Sequence, residues 1–104
     1  MLQNVMPSIH DKEGETVPAG LPPVIDSHVH VFPADLFSKI HNWFDENAWQ
    51  IRYRMKTSEV FDFLLSRGIG HVIALQYAHK PGISRQLNRY MAEKCSQFRG
   101  RVTG

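Results

Sequence analysis

The residues with the clearest chemical potential in this chain are His28 and His30, one residue apart in "VIDSHVHVFP", residues 24–33. Imidazole is the commonest metal-ligating side chain, and its neutral form prevails near pH 7. Spacing alone is weak support, because six histidines in 104 residues bring such pairs together by chance. The setting adds weight. In a strand side chains alternate, so Asp26, His28, His30 and Phe32 would share one face, and Ile25, Ser27, Val29 and Val31 the other, nearly all apolar one. Two imidazoles at such positions, about 7 Å apart at Cα, can tilt toward one ion at about 2 Å. As core residues, the same pair would bury ring nitrogens without partners. The expectation is a divalent metal held by His28 and His30, zinc first, because the donors are imidazoles and no thiolate lies near. Asp26 is a candidate to orient a ligand imidazole through its free ring nitrogen. The alternative for Asp26 is a carboxylate that satisfies nearby backbone.

Further candidates are less specific. His79 and Lys80 follow a second apolar run and would lie on the same rim as the histidine pair, as candidate lining of a substrate pocket. Turn residues are more often simply solvated. Arg52 and Arg54 could clamp a substrate carboxylate with their forked guanidinium groups; packing outward with solvated charge is the plainer role. His41 and His71 are expected in surface or structural roles, and His10 in a tail. Cys95 falls on an apolar helical stripe and reads as an inert thiol.

These residues depend on the elements that hold them. Residues 1–22, with Pro7, Pro18 and Pro22 among Gly14 and Gly20, show no period of 2 or 3.6 and read as a poorly ordered N-terminal arm. Val24 to Phe32 reads as a strand, and Pro33 suits the first turn of a following helix. Leu36, Phe37, Ile40, Trp43 and Phe44 carry that helix to about Asn47. Residues 48–56, "AWQIRYRMK", are aromatic and cationic without a clear period and read as an irregular insertion. Thr57 or Ser58 can cap the next helix, Glu59 suits its first turn, and Arg67-Gly68 is a stop. "HVIALQY", residues 71–77, reads as a strand covered on both faces. Ile83, Leu87, Tyr90, Met91, Cys95 and Phe98 give a third helix, and Val102-Thr103 opens a third strand. Alternation of this kind predicts βαβ units and a parallel sheet.

Composition limits the function classes. The chain is 42% hydrophobic and 21% charged, as in a globular protein. Its net charge of +2 comes from scattered Lys and Arg, without the basic stripe of a nucleic-acid binder. No apolar run approaches the roughly 20 residues of a membrane helix. The single cysteine, Cys95, allows no internal disulfide and favours a reducing compartment, so a cytoplasmic location is expected.

"VIDSHVHVFP" resembles the Asp-x-His-x-His signature that opens the first barrel strand of the amidohydrolase superfamily. The Phe-Pro that follows is similar to the amidohydrolase-related branch, which includes decarboxylases of the aminocarboxymuconate-semialdehyde type. "LLSRGIGHVIALQY" and "GISRQLNRYMAEKCSQFRGRVTG" resemble that branch's next elements, so the likeness spans residues 23–104. It implies the N-terminal part of a metal-dependent (β/α)8 TIM barrel, about two βα units and the start of a third strand. A complete barrel typically takes about 250 residues. The activity implied is C–N or C–O hydrolysis, or decarboxylation of a small carboxylic acid, on a small-molecule substrate and at a divalent metal. A homo-oligomeric full-length protein is compatible with it. The family's catalytic aspartate would lie beyond Gly104, so this segment is expected to be a fragment, inactive by itself. Two other readings stay open: a metal-dependent phosphoesterase of a related barrel, and a non-catalytic α/β module.

Overall fold

Parallel pairing of two short apolar runs organises the chain, whose computed structural model describes residues 8–104. The elements run β1 (Ile25–His30), α1 (Ala34–Asn47), α2 (Thr57–Ser66), β2 (His71–Leu75), α3 (Ser84–Gln97) and β3 (Val102–Thr103). The sheet order is β1-β2-β3 with both pairings parallel. The described residues form a small α/β domain with one three-stranded sheet and three helices. Parallel neighbours need a crossover between them; α1 and α2 occupy the first and α3 the second.

The core lies on one face of the sheet. Val29, Val31, Val72, Ala74 and Val102 pack with Phe61 and Leu65 of α2 and Met91 of α3. Edge-to-face contact of Phe61 with Phe98, ring centroids 5.2 Å apart, joins α2 to the end of α3. The opposite face is open: Ile25 is 55% exposed and Leu75 36%. The continuous apolar run of β2 predicts cover on both faces, and helices cover only one. The radius of gyration, 15.5 Å, exceeds the about 13 Å of a compact globule of about 100 residues. The shortest extent, 20 Å, leaves room for the sheet and one helix layer, each helix being about 10 Å across.

Strict alternation along β1 does not hold. Asp26 pairs with Val72 and Val29 with Ala74, so β1 spends one more residue than β2 over that interval. Such a bulge reverses the parity of side chains across it. Ile25 therefore aligns with His71 on the open face, and Asp26 with the buried Val72. The expected face of Asp26, His28, His30 and Phe32 is split at this point.

Helix starts differ from expectation in chemistry rather than position. Pro33 precedes α1 instead of opening it, and its carbonyl accepts the Phe37 N–H at 2.9 Å. Lys56, not Thr57 or Ser58, is the N-cap of α2, where the Glu59 carboxylate accepts the Lys56 N–H at 3.4 Å. Thr57 is 2% exposed and is used in the interior. Its hydroxyl donates to the Phe32 carbonyl at 3.0 Å and accepts from the Tyr90 hydroxyl at 2.7 Å. Gly68 ends α2 with φ +96°, a conformation that glycine adopts without a Cβ clash.

The arm lies partly outside the described residues, which exclude 1–7. Residues 8–22 contain no helix or strand, but they are tied to α2. The Val17 N–H donates to the Arg67 carbonyl at 2.8 Å. Glu13 accepts from the Tyr53 hydroxyl at 3.0 Å and lies 3.7 Å from the Arg67 guanidinium, which sits over the Phe63 ring.

Candidate metal pair and adjoining chamber

His28 and His30 stand at the C-terminal end of β1, and their Nε2 atoms are 3.0 Å apart. The rings meet edge to face with centroids 4.8 Å apart. Two nitrogens each about 2 Å from one zinc at a tetrahedral angle would lie roughly 3.3 Å from each other. The observed separation is within a few tenths of an ångström of that, so the pair fits two positions of a metal shell. Among the described residues, no group of three or more His, Cys, Asp or Glu could hold an ion.

The surroundings orient His30. Its ring lies parallel to Phe32, centroids 6.4 Å apart, and meets the Tyr77 ring edge-on at 5.8 Å. Burial, and secondarily the charge of His28, holds the His30 imidazole below its ordinary pKa. Both effects favour the neutral ring, the form that ligates metal. Asp26 does not reach an imidazole. Its Oδ1 accepts the backbone N–H of His28 at 3.3 Å, bracing the bulge that sets the position of the pair.

Beside His30 lies an apolar chamber of ≈ 410 Å³ between α1, α2 and the segment joining them. From that segment Ile51, Tyr53 and Met55 line it, and Arg52 and Arg54 do not. "IRYRMK" thus alternates apolar and cationic residues with period 2, a signal present in the sequence of what is expected to be an aperiodic insertion. Alternation in an extended segment puts one set of side chains inward and the other outward. Arg54 forks onto Asp45, with Nη1 2.8 Å from Oδ2, and its Nε donates to the Ile51 carbonyl at 3.2 Å. Its guanidinium holds the segment to α1 rather than facing the chamber. Arg52 is exposed, with its guanidinium 5.3 Å from the Tyr53 ring centroid.

His79 is exposed and lines a neighbouring groove with Trp43, Phe44 and Tyr77. Lys80 is exposed in the following turn. The groove that His79 lines shares Tyr77, which packs on His30, with the chamber. No family model, curated protein or solved structure matches this chain.

Two residues outside the expected site join it. Tyr77 packs on both His30 and Phe32. His41, expected on the surface or in a structural role away from the rim, is 7% exposed and lines the same chamber as His30. It stacks on Phe37 one turn earlier, centroids 4.7 Å apart. The i, i+4 spacing of Phe37 and His41 on an apolar stripe was the available signal. His71 donates to or accepts from the Thr103 hydroxyl at 2.7 Å across β2 and β3, away from the pair. Cys95 is half-buried against the core, and burial raises its thiol pKa, which suits an unreactive thiol.

Proposed function

We propose that this chain carries the first ligand pair of a metal-dependent hydrolase or decarboxylase of the amidohydrolase type, with zinc as the ion and a small carboxylic acid or amide as substrate. The single observation that carries this reading is the 3.0 Å approach of the His28 and His30 Nε2 atoms at the C-terminal end of a parallel strand. In α/β barrels, chemistry collects at that edge.

His28 and His30 would hold the ion. Bound there, it would act as a Lewis acid, either activating water or polarising a carbonyl or carboxyl oxygen. The chain's own residues prepare the site. Phe32 and Tyr77 set the plane of the His30 ring, Asp26 fixes the backbone at His28, and the chamber puts apolar surface beside His30. A catalytic zinc centre takes three protein ligands and an open position. The remaining donors would come from further strands of a (β/α)8 barrel, of which β1 to β3 would be the opening part. A cytoplasmic setting fits the single free cysteine. No helix among the described residues is long and apolar enough to cross a membrane.

A second reading rests on the same distance. A separation of 3.0 Å also suits an N–H···N hydrogen bond between two imidazoles, which in a non-catalytic α/β module would only pin the strand end. Zinc affinity, measured by competition with a chromophoric chelator, separates the two. The metal reading expects weak one-to-one binding, reduced roughly tenfold or more by His28→Ala or His30→Ala, since even residues behind the ligands are worth about that much. Affinity unchanged in both variants would remove the metal and the activity with it.

A further inference from the structure

Glu13, in the N-terminal arm, addresses two rings of the chamber wall at once. Its Oε1 accepts the Tyr53 hydroxyl at 3.0 Å, and its Oε2 lies 3.7 Å from Nη2 of Arg67. The Arg67 guanidinium in turn sits 3.7 Å from the centroid of the Phe63 ring, and the Phe63 and Tyr53 rings are 5.1 Å apart. Tyr53 and Phe63 both line the chamber beside His30. Further along the arm, the Val17 N–H donates to the Arg67 carbonyl at 2.8 Å. A Cβ at position 68 would stand 3.1 Å from Val17 Cβ, so glycine there leaves room for the arm to lie against the end of α2.

The 51–55 segment has no helix or strand of its own to hold it. Arg54 ties it to Asp45 of α1, and Tyr53 ties it to the arm. The tie to the arm is exposed. Exposed hydrogen bonds and ion pairs each contribute little, and segments held by few such contacts open locally far more readily than a packed core. We infer that residues 13–17 are a releasable strap on one wall of the chamber. Docked, they hold Tyr53 and Phe63 in place; released, they free the 51–55 segment to move and the chamber to change shape. Ile51, Tyr53 and Met55 are the chamber residues of that segment, so release acts on all of them together, while Arg54 keeps the α1 anchor. The inference deepens the metal reading and rests on it only in taking the chamber beside His30 as the place where substrate lies.

The test uses the whole chain, kept metal-free with a chelator, and two independent reporters read by NMR. Hydrogen exchange of the Val17 amide follows the arm, and relaxation dispersion of the Ile51 and Met55 methyl groups follows the wall, on the timescale of lid-like motions. Glu13→Ala should raise the open population about fivefold at both reporters, the change that one net hydrogen bond represents. The exchange of amides within α2 should stay as it was. Tyr53→Phe should act in the same direction, and adding it to Glu13→Ala should change little further, because both remove one link. Glu15→Ala, an equal change of charge at a neighbouring arm position, should move neither reporter. A Val17 amide that exchanges as fast as an unstructured chain in the parent protein would overturn the inference. So would an arm that opens in Glu13→Ala while the Ile51 and Met55 signals stay unchanged. Coupled opening in a protein that proves unable to bind zinc would keep the strap and discard the metal reading. Zinc binding with uncoupled reporters would do the reverse.

Discussion

Burial holds the His41 imidazole below its ordinary pKa of 6.5, the Arg54 guanidinium adds to this, and Asp45 opposes both. The unfolded chain therefore takes up this proton before the folded one does as pH falls. Stability is full above about pH 6.5, declines as pH drops toward the folded-state value, and levels off below it. His30, lowered by burial and by His28, has the same sign. Asp45 acts in a separate and more acidic window. Its hydrogen bond to Arg54 depresses its pKa, so its contribution persists above its ordinary 3.8 and fades only below. Melting temperature followed from about pH 8 to about pH 5 should fall, and His41→Phe should flatten that fall, leaving the part due to His30. A slope unaltered in the variant would show that the ring is solvated. The histidine pair was legible from its spacing and its place before Pro33. His41 was signalled only by its i, i+4 spacing from Phe37, because burial of one helical residue depends on which side of α1 meets α2 and the 51–55 segment.

Thr57 joins three elements through one hydroxyl, giving to the Phe32 carbonyl after β1 and receiving from Tyr90 on α3. Thr57→Val keeps the shape and removes both bonds, leaving a carbonyl and a phenol without partners in a region where Thr57 and Phe32 are buried. The expected loss is about 1–3 kcal/mol, read from chemical denaturation; a loss below a few tenths would mean that water replaces the hydroxyl. Local pattern gave the elements well. The apolar stripe and the Gly68 stop bounded α2, and alternation of strands and helices implied the parallel sheet that is observed. It misjudged Thr57, since threonine suits an N-cap by propensity and nothing local shows that Phe32 and Tyr90 will arrive on either side of it. The bulge in β1 was equally hidden, because its register is set by β2.

The sheet is covered on one face, and the other presents Ile25 and Leu75 to solvent beside the exposed edge of Tyr77. Apolar surface of this kind favours association, and the outer sides of β1 and β3, unpaired among the described residues, offer backbone groups to another strand. Sedimentation velocity should show concentration-dependent self-association that Ile25→Thr with Leu75→Thr reduces while circular dichroism stays unchanged. Monomeric behaviour of the parent chain at high concentration would count against an uncovered face. Element types, their order and the histidine pair followed from residue types and spacing, because hydrophobic period and turn chemistry act over a few neighbours. The sidedness of the sheet, the parity of Asp26 and the chamber that joins His30 to His41 came from contacts between segments distant in the chain. Those contacts depend on how β1 registers on β2 and how α1 folds back over the extended 51–55 segment, and no local pattern encodes either.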